Sequence, residues 1–438
     1  MPETREIYKT LDLCLRIGEV LLASGAGAAD VTATMLSVAH GLGLRNADVD
    51  VTFTALSMSY QTSFDEPALM QVRNVRHRDI DYHDLTEVNF IINDVLTGEI
   101  DRDEARQRLA QIVSSGHMLP RWAVTIGWGL TGAGVALLLG GDLIVVGIAF
   151  LAAVGIDQLK KQMSKRRLPT FYQQVAGGLL ATLLAVGTAA TELEVDPSMV
   201  VTASIIMLLA GIGFMGAIQD ALTGFYITAG ARVIEALLAT AGIIAGVSGG
   251  LTVGAMLDVD LTSLQPGAAG WQALPVVTFG AGLCAAAFAF ASYAPFRSLL
   301  PIAVIAAGGE AVWYLLYVQD AGPAWSAASA AILIGVVSYS VAGRVRVPPL
   351  VVVVPAIVPL LPGLSIYRAL SLMSVGDSYG IVALVTAAGI AIALASGVIL
   401  GEYIAQPLKR EARRLEDRLA GPRLVGPLRA RAVKRQGS

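Results

Sequence analysis

Residues 347–373, VPPLVVVVPAIVPLLPGLSIYRALSLM, are apolar enough to enter a bilayer, yet they carry Pro348, Pro349, Pro355, Pro359, Pro362 and Gly363. A proline inside a helix removes a backbone donor and clashes with the preceding turn, at about 3 kcal/mol. In lipid an unpaired backbone group has no water to turn to. A broken helix is therefore tolerated only where protein or a watery cavity covers the break. A related stretch, MLLAGIGFMGAIQDAL, occupies residues 207–222. When the two are superposed in register, Pro197 meets Pro349, Val200 and Val201 meet Val352 and Val353, and Ile205 meets Ile357. Further on, Leu209 meets Leu361, Gly211 meets Gly363, Ala217 meets Ala369 and Gly224 meets Gly376. The chain holds two copies of one interrupted element.

Composition places these copies in a membrane. The 438 residues are 55% hydrophobic and only 15% charged, where soluble domains run near a quarter charged. The charges are segregated. Residues 1–118 mix charged and apolar residues as a soluble α/β domain does, whereas 122–405 are dominated by Ala, Val, Leu, Ile and Gly. The N-terminus lacks the ordered basic, apolar and small-residue regions of a signal peptide. Cys14 and Cys284 lie one in each region, which argues against a disulfide framework.

Ten apolar stretches have the length of a membrane crossing: 122–140, 142–158, 169–190, 197–217, 230–251, 273–292, 298–317, 324–343, 349–373 and 378–405. Lys and Arg in short loops mark the cytoplasmic side. LKKQMSKRRL follows the second stretch, Arg297 follows the sixth, and Arg344 and Arg346 follow the eighth, while TELEVD, LDVDLTSLQPG and VQDAG on the other side carry no Lys or Arg. Both termini then lie inside, and the basic tail 407–438 is a topology anchor or anionic-lipid contact rather than a nucleic-acid site. Arg368 is the one misfit, and so is not an ordinary loop residue.

Five crossings per copy force the second copy to sit upside down. The predicted architecture is a polytopic α-helical membrane protein with ten transmembrane helices as two inverted five-helix repeats, 119–255 and 270–406, after an N-terminal cytosolic α/β domain, 1–118. Matched Gly/Pro interruptions in inverted repeats point to a secondary transporter's binding site. That places Gly211, Gly213 and Gly216 at one break and Pro362, Gly363 and Ser365 at the other. Half-helix amides there suit a carboxylate. Asp220 and Arg368 flank the breaks and Asp377 opens the last crossing. Ionisable groups in lipid are functional candidates: Glu310 lies well inside the seventh crossing, and Asp157 holds nearly the equivalent place in the first repeat. Arg232 and Glu235, three apart on one helix, are expected to pair; Glu402 is expected to snorkel.

Enzymatic chemistry finds little support. GDSYG at 376–380 has a serine, Ser378, but no histidine follows His117, so a Ser–His catalyst has no base. No P-loop, Rossmann glycine pattern or zinc motif occurs, leaving an ion or substrate gradient as the drive and no cofactor. In the first domain, helices are expected at 4–24, 28–43, 84–97 and 101–115, with Asp101 as a cap. VDVTFTAL, LSMSYQT and ALMQVRNV alternate like strands. HRDIDYHD at 77–84 gathers His77, Asp79, Asp81, His83 and Asp84. It reads as a solvated loop, with a metal site as the alternative.

LRIGEVLLASGAGAADVTATMLSVAHGLGL (15–44), GFMGAIQDALTGFYITAGARVIEALLATAGIIAGVSGGL (213–251) and PAIVPLLPGLSIYRAL (355–370) resemble the threonine/serine exporter family. The resemblance implies a cytosolic domain joined to ten membrane helices, and export of small hydroxy amino acids by proton-motive force. A related two-subunit version is associated with succinate export. The Asp of IQDAL and the Gly-x-x-Arg of GARV match as Asp220 and Gly230–Arg232. The chain departs from the family at Asp30-Val31-Thr32, commonly Arg-Val-Glu-like, and at Ala210-Gly211, commonly Pro-Gly. The expectation is an inner-membrane exporter of threonine and serine that works by alternating access. The carboxylate is expected at the helix termini Gly211–Gly216 and Gly363–Ile366, the ammonium at Asp220, Asp377 or a carbonyl, with Arg368 a further substrate-binding candidate, and proton coupling falls to Glu310 and Asp157. A homo-oligomer is left open. The rivals are a dicarboxylate exporter, using Arg368 or Arg232, and a membrane-anchored ligand sensor.

Overall fold

The computed structural model describes residues 2–62, 65–75, 80–117, 119–190, 197–206, 208, 211–257, 270–374 and 377–419. The N-terminal portion comprises α1 (Pro2–Ala23), α2 (Ala28–Gly41), β1 (Ala47–Val51), β2 (Ala55–Tyr60), β3 (Leu69–Asn74), α3 (Tyr82–Thr97) and α4 (Arg102–Ser115). The strands form an antiparallel meander in the order β1-β2-β3. Leu56 and Met58 of β2 point into the core, where α1 brings Leu11, Cys14 and Ile17. α1 touches the sheet and all three other helices, which is why its apolar residues leave almost no exposed face. Asp101 caps α4 as expected, accepting the Glu104 amide at 2.8 Å.

The strand reading needs one correction. VDVTFTAL is not a single strand but the end of β1, a tight turn and the start of β2. The Thr52 amide donates to the Ala55 carbonyl at 2.9 Å. The turn contains no Gly, Pro or Asn, so nothing in its composition announced it.

The apolar portion comprises α5 (Arg121–Leu138), α6 (Leu143–Lys165), α7 (Thr170–Ala189), α8 (Pro197–Ile206), α9 (Gly211–Leu222) and α10 (Tyr226–Met256). After a short 3-10 turn come α11 (Leu274–Ala291), α12 (Phe296–Val318), α13 (Pro323–Val345), α14 (Pro349–Ile357), α15 (Gly363–Ser374) and α16 (Tyr379–Leu419). Among the described residues six helices are long and apolar enough to cross a membrane: Leu143–Lys165, Tyr226–Met256, Trp271–Ala291, Phe296–Val318, Pro323–Val345 and Tyr379–Ala405. Their outer faces carry bare apolar side chains, with Leu143 84% and Ile227 79% exposed, as a lipid-facing surface requires. The second apolar stretch runs further than 142–158: α6 continues to Lys165, so most of LKKQMSKRRL is helix rather than loop.

Both proline- and glycine-bearing stretches are interrupted. α8 ends at Ile206 and α9 begins at Gly211. Between them the Leu208 amide turns back to the Ile205 carbonyl at 2.8 Å, and the Leu208 carbonyl accepts from Gln174 Nε2 of α7 at 3.1 Å. In the other stretch α14 runs into a 3-10 turn, Val358–Leu360, and Leu361 then leaves the helix with φ −63° and ψ 136°. α15 restarts with the Ile366 amide on the Pro362 carbonyl at 3.0 Å. The second halves, α9 and α15, meet in one small cluster, where Phe214 and Ile366 pack with Ala236, Ala387 and Ala391.

Helix partners fall into matching sets. α5 packs on α6, α6 on α7, α7 on α8 and α10, and α9 on α10; α11 packs on α12, α12 on α13, α13 on α14 and α16, and α15 on α16. The sets join where α5 crosses α11, and where α9 meets α16 and α10 meets α15. Glycines set the closest crossings. A Cβ on Gly134 would lie 2.5 Å from the Cys284 amide nitrogen, and one on Gly280 would lie 2.5 Å from that of Leu138. Moving up α5 from Gly134 to Leu138 thus means moving down α11 from Cys284 to Gly280, so these two helices run antiparallel. α7 and α10 instead run parallel, because Gly242 meets Phe171, Gly246 meets Val175 and Gly250 meets Thr182.

Candidate functional site

The N-terminal portion is joined to the helices by a charged junction. Gly25 adopts φ +91° at the end of α1, a backbone state that favours glycine, and turns the chain so that Ala26–Ala28 face α9 and α10. Asp220 of α9 is completely buried. Its Oδ1 accepts the Ala28 amide at 2.8 Å, and its Oδ2 lies 3.1 Å from Arg232 Nε of α10, an ion-pair contact without the alignment of a full hydrogen bond. Arg232 Nη2 also donates to the Ala26 carbonyl at 3.1 Å. Gly216, one turn before Asp220, makes this possible: a Cβ there would sit 2.5 Å from Arg232 Nη1. A carboxylate at the N-terminus of α2 is favoured by the helix dipole. Burial and the Asp220 charge hold the Asp30 carboxyl above its usual range. Arg232, expected to pair along its own helix with Glu235, also reaches across to Asp220.

A second contact involves the acidic-histidine segment. His77 and Asp79 lie outside the described residues. Asp81 caps α3, accepting the His83 and Asp84 amides at 2.9 and 3.0 Å. Its Oδ2 meets His117 Nδ1 at 2.7 Å, and the His117 ring stacks on Tyr293, between α11 and α12, at 4.3 Å. The Tyr82 amide donates to the Ser292 carbonyl at 2.9 Å, and the Tyr82 and Leu85 side chains pack among the membrane helices. Among the described residues, no three His, Cys, Asp or Glu side chains converge as metal ligands.

Against the second of these contacts lies a cavity of about 570 Å³. Ile80 and His117 of the N-terminal portion roof it, α5, α6 and α11 wall it, and Leu208 at the first helix interruption forms part of its floor with Trp128 and Phe288. One face of α6 lines it with Asp157, Lys160, Lys161, Ser164 and Lys165, the i, i+3, i+4, i+7, i+8 pattern of a helical stripe. Asp157 Oδ1 accepts from Arg121 Nη2 at 3.1 Å and Oδ2 from Thr125 Oγ1 at 2.7 Å. Gln158 Nε2 donates in turn to Thr125 Oγ1 at 2.9 Å. Arg121, Thr125 and Lys160 escaped the reading of the sequence, which treated the lysines as a cytoplasmic loop; the helical spacing from Asp157 to Lys165 was the available signal.

The remaining expected residues are dispersed. Glu310 of α12 is 3% exposed, and among the described residues its Oε2 has no hydrogen-bond partner. It lies near the neutral Cys284 thiol of α11. Arg368 of α15 is half-buried, with Nη2 buried and without a partner among the described residues, and Tyr317 of α12 is within electrostatic reach. Asp377 accepts the Tyr379 amide at 2.9 Å and so caps α16. Gly211 and Gly363 open α9 and α15, Pro362 immediately precedes α15, and Ser365 lies in its first turn. Among the described residues nothing lies within 4 Å of where a Cβ on Gly213 would project. Asp220 and Gly216 belong to the junction, Asp157 to the cavity, and Glu310 and Arg368 to the interior of the second set of helices.

Two family models match: "Putative threonine/serine exporter" over residues 12–254 and "Threonine/Serine exporter, ThrE" over residues 277–404. The chain is 35% identical over 428 residues to a "Probable threonine/serine exporter" of Mycobacterium tuberculosis, covering 94% of this chain and 80% of that one. It is 34% identical over 415 residues to a "Threonine/serine exporter" of Corynebacterium glutamicum, covering 93% and 85%. A "Probable succinate transporter subunit YjjP" of Escherichia coli is 26% identical over 259 residues, 57% of this chain and 97% of that protein. No solved structure matches. Six long apolar helices and these relatives make the molecule a multi-pass membrane protein. The chain belongs to the threonine/serine exporter family.

Proposed function

We propose that the protein exports threonine and serine across the cell membrane by alternating access, with the N-terminal portion as a cytoplasmic domain over the inner mouth. The observation that carries this reading is the cavity that begins under Ile80 and His117 and ends at the interruption between α8 and α9. An exporter must admit solute from the cytoplasm, and an interrupted helix offers it unpaired peptide groups. The relatives named as threonine/serine exporters supply the solute class.

Ten crossings in two inverted repeats fit the matched packing sets and the antiparallel crossing of α5 with α11. If α5 starts on the cytoplasmic side, α11 starts on the other, as inversion requires. The domain limits remain 1–118, 119–255, 270–406 and 407–438. Gly211, Gly213, Pro362, Gly363 and Ser365 line the two breaks, and Arg368, with its unpartnered nitrogen, offers the carboxylate a charge-assisted contact. Glu310 is the proton carrier, because an unpartnered buried carboxylate is costly unless it exchanges a proton. In proteoliposomes, labelled threonine moves when a proton gradient is imposed. Flux that ignores an uncoupler refutes proton coupling, and no flux of threonine or serine refutes the exporter reading.

A dicarboxylate exporter is the second reading. It is favoured by the cavity wall, where Arg121, Lys160, Lys161 and Lys165 face the single carboxylate of Asp157. Competition of succinate against threonine in the same vesicles separates the two.

A further inference from the structure

The positive charge of the cavity is unevenly committed. Arg121 is taken up by Asp157, and the second oxygen of Asp157 is held by Thr125. Lys160, one turn further along α6, is within electrostatic reach of Asp157 but makes no direct ion pair with it. Lys160 is half-buried and lies within a helix apolar enough to span a membrane. Among the described residues it has no hydrogen-bond or ion-pair partner. A half-buried ammonium with no ion directly bonded to it can take a carboxylate at a small desolvation cost, and the cavity it faces is large enough for a small solute. Leu208 at the interruption and the edge-to-face pair Trp128 and Phe288, 5.7 Å apart, close the inner end.

We propose that Lys160 is the carboxylate-recognising residue of a loading site on the cytoplasmic side, which holds the solute before it reaches the helix interruptions. This deepens the exporter reading and rests on it for the identity of the solute. The Arg121–Asp157–Thr125 group acts as a fixed polar wall beside the Lys160 ammonium, which has no direct ion pair and can meet the solute's carboxylate. The apolar inner end accepts the small side chain. Lys161 and Lys165 draw anions toward the mouth, and Lys165, exposed at the rim, contributes field rather than contact.

The test uses the full-length protein in proteoliposomes, with solute presented on the cytoplasmic face. Its probes are threonine, succinate and threoninol, which keeps the ammonium and hydroxyl of threonine but lacks the carboxylate. A lost charge-assisted contact raises half-saturation for threonine by roughly tenfold or more in Lys160→Gln. Lys160→Arg recovers part of the loss. Threoninol competes poorly in the wild type and as well as threonine does in Lys160→Gln. An unchanged half-saturation in Lys160→Gln overturns the assignment and leaves the exporter reading intact. An equal shift in Lys165→Gln also overturns it, because a diffuse field would then suffice. If the wild type moves succinate but not threonine, the exporter reading falls in its amino-acid form, and the Lys160→Gln shift for succinate decides the assignment. Wild-type vesicles that move neither solute overturn both.

Discussion

The Asp220 carboxylate and the Ala28 amide are 192 residues apart in sequence and 2.8 Å apart in space. Through that bond a residue of the interrupted element α9 takes the place of a cap for α2, whose own preceding residue, Gly27, has no side chain to offer. Arg232 completes the junction from α10. The N-terminal portion is therefore tied to α9, the second half of the interrupted stretch, and any movement of α9 is felt at the start of α2.

Replacing Asp220 by Asn keeps an acceptor for Ala28 but strands the Arg232 guanidinium. Removing one partner of a buried pair costs about 3–5 kcal/mol. Asp220→Asn is expected to lower the melting temperature and speed proteolysis between α4 and α5. Combining Asp220→Asn with Arg232→Met removes the stranded charge and recovers part of the loss. Equal stability of Asp220→Asn and wild type would contradict this account of the junction.

Glu310 makes a narrower prediction. Glu310→Gln preserves shape and removes the titratable proton, so gradient-driven flux is expected to fall to the uncoupled level while solute exchange persists. The unpartnered charge also disappears, so thermal stability should hold or rise. Coupled flux at the wild-type rate would remove Glu310 from the mechanism.

The cluster at the start of α3 gives stability a pH dependence. Burial and the neighbouring Asp81 carboxylate push Asp84 up to about 6, against the opposing pull of His83 and His117. The folded protein then holds this proton more tightly than the unfolded chain does. Stability from Asp84 is therefore greatest at low pH and declines as pH rises from about 4 to about 6. Asp84→Asn should flatten that part of the melting curve against pH and be the more stable form at pH 7. An identical slope in the variant would show that Asp84 is not its source.

Close packing of α7 on α10 is expected to tolerate no added atom at one position and to accept it at another. A Cβ on Gly246 would lie 2.1 Å from the Val175 carbonyl oxygen, whereas one on Gly249 would meet only Leu179, at 3.9 Å. Overpacking typically costs about 1–3 kcal/mol. Gly246→Ala should lower folded yield in detergent and Gly249→Ala should not; matching yields would contradict the crossing geometry.

The sequence carried the interruptions openly, because prolines and glycines mark broken helices by their own chemistry. Helix and strand periodicity likewise announced the N-terminal elements, apart from the turn at Thr52–Ala55. The junction was hidden for a different reason. Asp220 and Arg232 lie on consecutive helices, and spacing along one helix favoured Glu235 as the partner of Arg232. Nothing local says that α2 will arrive between them. Lys160 was misread because loop lysines and a polar helical stripe share a composition. Only their continuation on α6 and the cavity against that face distinguish the two.

The central claim is that the interruptions border a hollow that solute and water enter. Cysteines placed singly at Gly213 and Ser365 test it directly, since the native Cys14 and Cys284 are both buried. With a membrane-impermeant thiol reagent applied in proteoliposomes, both positions should react, and threonine should slow the reaction. A cysteine at lipid-facing Val385, 67% exposed on the outer surface, should stay unlabelled. Labelling of neither interruption, or labelling that threonine leaves unchanged, would contradict the account.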